Sequence, residues 1–172
     1  MKLIVATVLA ALIAAAFTSA SAMADTTKKI SPARERVVKA LDATLAGTPM
    51  QRTGRELEAA GWKHHVHPAF IAAIAGTESS YGRLACRSNR YNAFGLSSCG
   101  TGWRVPDFRS WAQAYDFMAR FLTGRTTVTS GWPNARTPYD YRGYAASSSK
   151  WGAAVSYHME RFGLGTNVRY GR

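Results

Sequence analysis

Apolar residues recur every three or four positions in several segments of the chain, which is the repeat of an amphipathic helix. Helix-start residues such as a Ser-Pro pair come before the first of these segments, and a glycine follows it. The pattern predicts four amphipathic helices, over residues 31–46, 53–63, 110–122 and 151–162.

A fifth segment, residues 68–77, is apolar nearly all round, which predicts a helix buried on every side. The Gly-rich stretch 82–107 has no helical repeat, and we predict loops there with a short β-hairpin near 94–105. Residues 124–149 are rich in loop-forming residues. No alternation of strands and helices is seen, so the expected fold class is mainly α with one small hairpin.

The first 24 residues have the pattern of a secretory signal peptide. Lys2 supplies the positive charge, residues 3–17 are apolar, and Ala-x-Ala sites follow. We therefore expect export, either secretion or a periplasmic location. The alternative is an uncleaved anchor; no other stretch is long and apolar enough to span a bilayer, so no stable span is expected after cleavage.

The rest of the chain divides into three parts by composition. Residues 25–30 form a polar leader, residues 31–163 form the expected folded domain, and residues 164–172 form a basic tail. The domain is long enough to bury a core, and we expect a monomer.

The chain is strongly basic, with a formal net charge of +12. Such a surface suits anionic polymers, including cell-wall glycans, teichoic acids, lipopolysaccharide and nucleic acid. The positive residues are spread along the chain, so a merely solvated basic surface explains them equally well. Because no nucleic-acid-binding motif is present, we expect anionic cell-envelope polymers as partners and no specific nucleic acid.

Two cysteines are present, Cys86 and Cys99. In an exported protein an even pair most simply forms a disulfide. The closed loop of about 14 residues would contribute roughly 3 kcal/mol, and it contains residues 92–96. Two reduced cysteines in the core are the alternative.

Among ten acidic residues, Glu78 stands out because it follows the fully apolar helix. The helix dipole disfavours a carboxylate at a C-terminus, so this position needs a special reason. A carboxyl group held against apolar surface has a raised pKa and can act as a general acid near neutral pH. Glu35, Glu56 and Glu58 lie among basic residues and indicate surface charge.

Four motifs, in order, carry a resemblance to a known superfamily. They are Glu-Ser-Ser-Tyr-Gly at 78–82, Asn-Ala-Phe-Gly-Leu at 92–96, Phe-Arg-Ser-Trp at 108–111, and Tyr-Ala at 144–145. The first resembles the acid motif of goose-type lysozymes and lytic transglycosylases, and the others resemble bacterial endo-β-N-acetylglucosaminidases. Over roughly residues 53–163 the chain resembles the lysozyme-like superfamily.

The resemblance implies an α+β lysozyme-like fold, in which a β-hairpin lies beside the active-site cleft. It implies cleavage of the β-1,4 glycosidic bonds of peptidoglycan, with Glu78 as the proton donor. Asn92 and Tyr144 would line the cleft, Asn92 either binding an acetamido group or holding the hairpin.

Three further residues of these motifs are candidates for the substrate site. Ser79 would cap the turn and orient the acid, and Tyr81 follows it in the same motif. Phe94 could contact substrate or belong to the core.

The second carboxylate is the open question, because glucosaminidases carry a glutamate on the hairpin and residues 95–106 contain no acid. Asp107 is the nearest candidate, whereas Asp116 lies mid-helix and is expected to be structural. Without a second acid, either the N-acetyl group of the substrate attacks, or the protein is a lytic transglycosylase that forms anhydro-muramyl ends.

Two other function classes stay open. One is a catalytically degenerate module that binds cell-wall glycan; the other is a cationic wall- or nucleic-acid-binding protein without chemistry. His64, His65 and His67 lack the spacing of a zinc site and are expected to be solvated loop residues. No metal and no cofactor is therefore expected.

Overall fold

Five α-helices, joined by loops, carry the regular structure of the described residues. The structure is a computed structural model that describes residues 29–96, 105–126, 132, 134–145 and 148–171. The helices are α1 (Pro32–Leu45), α2 (Gly54–His64), α3 (Pro68–Ser79), α4 (Trp111–Leu122) and α5 (Ser148–Glu160). Single 3₁₀ turns lie at Arg87–Asn89 and Pro138–Asp140. The mainly helical class is confirmed, and each helix ends within three residues of its predicted bounds.

Helix α3 is the centre of the packing. Its residues from Pro68 to Gly76 are all buried, as the apolar pattern predicts, and it packs against α5 and α2 and touches α4. Because every face of α3 is covered, the position of its last turn is fixed by the surrounding core.

The start of α3 corrects the expectation that the nearby histidines are solvated. His64 and His67 are both buried. Nδ1 of His67 accepts a hydrogen bond from the backbone N–H of Ala69 at 3.2 Å, so His67 is the N-cap of α3. Burial lowers the pKa of His67 to about 4, which keeps the ring neutral and able to accept this bond at pH 7.

Helices α1 and α2 cross closely at Gly54. The carboxylate of Asp42 accepts a hydrogen bond from the Gly54 N–H at 2.8 Å and so satisfies a free amide at the start of α2. A β-carbon at Gly54 would lie only 2.7 Å from the carbonyl oxygen of Val38. The absence of a side chain therefore permits this crossing.

Glu58 is not the surface charge that the sequence suggests. Its side chain is fully buried and forms a two-point ion pair with Arg34, in which Nη2 lies 2.8 Å from Oε2. The Tyr170 hydroxyl donates a further hydrogen bond to Oε1 at 3.2 Å. The sequence pattern misses this burial because the partners come from α1 and from the far end of the chain.

The basic tail packs onto the helices as far as it is described. Val168 is buried, and its carbonyl oxygen accepts a hydrogen bond from the His67 N–H at 2.8 Å. Val66 and Arg169 form an isolated antiparallel bridge. These contacts join the tail to the turn between α2 and α3.

The expected hairpin is not seen in the described residues, where the bridge at Val66 stands alone. Residues 97–104, the middle of that prediction, lie outside the described residues. So do the expected signal peptide and residues 25–28 of the leader. Within the described part, no helix combines the length and the apolar character needed to cross a membrane.

Removing Arg34 should destabilise the fold, because Glu58 would stay buried without its counter-charge. We expect Arg34→Met to lower the free energy of unfolding by about 3 kcal/mol, the usual cost of breaking a buried pair from one side. The measurement is urea unfolding at pH 7. Arg36→Met, at an exposed arginine of the same helix, should change the free energy by less than about 0.5 kcal/mol; equal losses in both variants would contradict a buried ion pair.

Candidate active site

Glu78 lies in the last turn of α3, with its carboxylate half-buried. The indole Nε1–H of Trp151, on α5, donates a hydrogen bond to Glu78 Oε1 at 2.7 Å. Trp151 is itself buried, with 5% of its surface exposed. The packing of α5 against α3 therefore sets the orientation of the acid.

Gly95 lies against the other side of the Glu78 carboxylate. Its φ is +65°, which an L-residue adopts only with strain. A β-carbon there would lie 2.5 Å from Glu78 Oε2. The backbone of the loop is thus pressed directly against the carboxylate.

The surroundings of Glu78 favour its protonated form. Burial raises the pKa of the Glu78 carboxyl above its ordinary value, and the hydrogen bond from Trp151 offsets part of this rise. No ion pair of the described residues includes Glu78. A carboxyl in these surroundings is suited to deliver a proton near neutral pH.

The chain leaves α3 through two consecutive residues in left-handed conformation, Ser80 (φ +51°) and Tyr81 (φ +60°). This conformation costs roughly 1–2 kcal/mol for a residue with a β-carbon. Tyr81 is held by burial and by a 2.8 Å hydrogen bond between its hydroxyl and Nδ1 of His158. Strain of this kind often accompanies a functional site, and here it lies directly after Glu78.

Ser79 ties the end of α3 to the loop that carries Gly95. Its Oγ lies 2.7 Å from the carbonyl oxygen of Ala93 and accepts a hydrogen bond from the Gly82 N–H at 2.9 Å. The predicted orienting role fits this geometry. The Ser79 side chain is buried, so it supports the site from behind and presents no surface to a ligand.

Asn92 braces the same loop. Its Nδ2 donates to the carbonyl oxygen of Leu96, and its Oδ1 is buried without a hydrogen-bond partner among the described residues. This contact holds the loop that contains Gly95, but the hairpin that Asn92 is expected to hold is not seen in the described residues, and the acetamido role stays a prediction. The unsatisfied oxygen is an acceptor held next to the Phe94–Leu96 segment.

Phe94 and Tyr144 have different surroundings from each other. The Phe94 ring is fully buried and meets the Tyr115 ring edge-on, so it belongs to the core and not to a ligand surface. The Tyr144 hydroxyl donates to the Phe94 carbonyl oxygen at 2.8 Å, and its ring stacks on Trp151 with centroids 4.5 Å apart. Tyr144 therefore joins the Gly95 loop to the tryptophan that binds Glu78.

Asp107 is not brought to Glu78 by any described contact. It is exposed and makes no hydrogen bond or ion pair among the described residues. Asp116 has the expected structural role: partial burial favours its neutral form, but hydrogen bonds from Lys63 and His64 outweigh this and lower its pKa to about 2.

The other acids can be accounted for almost completely. Glu35 and Glu58 are ion-paired, and the carboxylates of Asp42 and Asp140 accept backbone N–H groups. Apart from Asp25, which precedes the described residues, every acid of the chain lies in the described part. None of them contacts the Glu78 carboxylate.

Cys86 is disulfide-bonded, and Cys99, its expected partner, lies outside the described residues. No cluster of three metal-ligating side chains occurs in the described part of the chain.

The sequence motifs find no support in a comparison with known proteins. No protein-family model matches the chain, and no curated protein matches it either. The resemblance to lysozyme-like enzymes therefore rests on the sequence motifs alone.

Two residues of the site carry no direct signal in the sequence analysis. Trp151 has helical spacing in an apolar stripe, which predicts a core position, and it is buried. Its Nε1–H nevertheless donates a hydrogen bond to Glu78. Gly95 lies within the Asn-Ala-Phe-Gly-Leu motif, but nothing in the motif shows that the glycine faces the acid.

The Trp151 hydrogen bond should hold the pKa of Glu78 below the value that burial alone would give. This bond stabilises the charged form, so Trp151→Phe should raise the pKa of Glu78 further. The check is an NMR titration of the ¹³C-labelled Glu78 carboxyl. Trp62→Phe, on α2 and away from the acid, should leave the titration unchanged; a lower pKa in Trp151→Phe would contradict the assignment.

The close approach of Gly95 can be tested with a matched pair of glycines. Gly163 has nearly the same φ, +64°, but a β-carbon there would meet nothing within 4 Å. Both alanine variants should lose about 1 kcal/mol from backbone strain. Only Gly95→Ala should also push the Glu78 carboxylate away from Trp151, seen as a shift of the Trp151 indole N–H resonance; an unshifted resonance would refute the contact.

Proposed function

We propose that this protein cleaves the β-1,4 glycosidic bonds of peptidoglycan, with Glu78 as the general acid. The observation that carries the proposal is the environment of Glu78: it is half-buried, hydrogen-bonded to an indole, pressed against Gly95, and in no ion pair among the described residues. A carboxyl whose pKa is raised in this way can donate its proton to the glycosidic oxygen as the bond from that oxygen to C1 breaks.

The remaining residues support the acid. Tyr144 fixes Trp151 and the Gly95 loop relative to each other. Burial raises the pKa of the Tyr144 hydroxyl well above its ordinary value, so this group positions and does not exchange protons. In this proposal Asn92 Oδ1 is available to accept a hydrogen bond from an acetamido N–H when the loop adjusts to a substrate.

The positions of the described acidic residues favour a mechanism that uses one carboxylate. A water-activating base would have to lie roughly 6.5–9.5 Å from Glu78, and an enzyme nucleophile roughly 5–5.5 Å away. The exposed Asp107 has no described contact that would hold it there. This observation favours the second candidate, a lytic transglycosylase, or attack by the substrate's own N-acetyl group.

In the transglycosylase reaction Glu78 would act twice. Its proton passes to the leaving oxygen, and the carboxylate then takes the proton of the muramyl 6-hydroxyl while that oxygen bonds to C1. The product carries a 1,6-anhydro ring, and the acid is regenerated without water.

The location of the protein and its partners in the cell envelope are part of the same proposal. A cleaved signal at 1–24 would export the protein to the periplasm or the exterior. There the basic surface would favour binding to anionic envelope polymers, and no cofactor would be needed.

Glu78→Gln should abolish product formation from purified peptidoglycan. Gln keeps the shape and an acceptor for the Trp151 N–H but has no proton to give, so turnover should fall at least about a hundredfold. Mass spectrometry of the soluble products is the measurement. Glu160→Gln, at an exposed acid of α5, is the matched control and should retain full activity.

The products also separate the alternatives. Anhydro-muramyl ends would establish the transglycosylase, whereas reducing N-acetylglucosamine ends would establish a glucosaminidase and make Asp107→Asn the next variant. Wall binding without any Glu78-dependent product would refute the enzyme and leave a glycan-binding module.

A further inference from the structure

A second candidate site lies at the opposite end of α2 from Gly54. A cavity of about 620 Å³ is lined by the end of α2, by Thr123 and Arg125 after α4, by Asn134 and Arg136, and by the C-terminal tail. The described residues that line it include three arginines, Arg125, Arg136 and Arg169, and no acidic residue. Glu78, Trp151 and Tyr144 are not among its lining residues, so it is separate from the candidate active site.

Two of these arginines converge on one oxygen atom. The carbonyl oxygen of Ala135 accepts a hydrogen bond from Arg169 Nε at 2.8 Å and from Arg136 Nη1 at 3.2 Å. Two like charges held this close repel each other. A bound anion would be attracted by both guanidinium groups.

Three acids form hydrogen bonds with lining residues: Asp116 with His64, Asp140 with the backbone N–H of Arg136, and Glu58 with Tyr170, and Glu58 is also paired with Arg34. Asp116 binds Lys63 and Arg120 as well as Nε2 of His64, and the Asp140 carboxylate accepts backbone N–H groups. Neither Arg125 nor Arg136 forms an ion pair among the described residues. Arg125 and Arg136 therefore bring positive charge to the cavity that no described acid neutralises through an ion pair.

Polar groups in the same cavity could bind more than an anion. Asn134 and Asn167 line it with side-chain amides. Oδ1 of Asn167 accepts the Arg169 N–H at 2.9 Å, which leaves its NH₂ group to donate. Nδ1 of His64, a lining residue, is buried without a partner among the described residues.

The size and the chemistry of the cavity together select a ligand class. Planar guanidinium groups match the oxygens of a phosphate, to which they can donate two parallel hydrogen bonds. The volume is about that of twenty water molecules and falls in the range of small-molecule sites. We infer that this cavity binds a phosphorylated sugar, with the phosphomonoester on the arginines and the sugar hydroxyls on the asparagine amides.

The test is calorimetric titration of the full chain with N-acetylglucosamine 1-phosphate. Arg125→Gln and Arg136→Gln should each weaken binding about tenfold or more, since each removes a charge-assisted hydrogen bond. The Arg125 side chain makes no described contact with the protein, so its variant should fold as the parent does. Arg36→Gln removes an equal charge at an exposed position of α1 that does not line the cavity, and it should bind as tightly as the parent.

Three further probes decide what is recognised. Unphosphorylated N-acetylglucosamine should not bind at this site, and inorganic phosphate should bind more weakly than the sugar phosphate. Equal affinity for inorganic phosphate would overturn the sugar part of the inference. An equal loss in Arg36→Gln, or binding of a short DNA duplex but not of the sugar phosphate, would overturn the inference as a whole.

Discussion

The hydroxyl of Ser79 is the interaction on which the geometry of the candidate active site depends. A hydroxyl has one proton, and the shorter contact, 2.7 Å to the carbonyl oxygen of Ala93, receives it in preference to the 3.1 Å contact to Ala75. Its lone pairs then accept the Gly82 N–H. One buried atom thus joins the end of α3, the strained turn after it and the loop that ends at Gly95. Together with the hydrogen bond from Tyr144 to the Phe94 carbonyl oxygen, this contact holds Glu78 and Gly95 in a fixed relative position.

Much of the helical architecture can be predicted from residue spacing alone. The stripes over 31–46 and 110–122 predict α1 and α4, and the all-round apolar run predicts the burial of α3, because local periodicity reports which faces must avoid water. The acid could be singled out for the same reason, since a lone carboxyl at the end of a buried helix conflicts with its surroundings. Such local conflicts are expected at functional sites.

What could not be predicted depends on contacts between distant parts of the chain. Trp151 lies 73 residues from the acid that it binds, and its spacing indicates only an apolar stripe. Glu58 is surrounded by polar neighbours in sequence, but its partners are Arg34 and Tyr170, the latter 112 residues away. The three arginines of the cavity come from separate loops and the tail, so they look like scattered surface charge until the chain folds.

The charges around Glu78 differ from those around the other acidic residues. The chain has 22 Lys and Arg residues against 10 acids, so most carboxylates would be expected to find a cation. Glu35, Glu58 and Asp116 do so. A cation within about 4–6 Å of Glu78 would lower its pKa by 1–3 units and cancel the effect of burial. Among the described residues, the Glu78 carboxylate is instead surrounded by the apolar α3, the indole of Trp151 and the backbone at Gly95, and burial there raises its pKa.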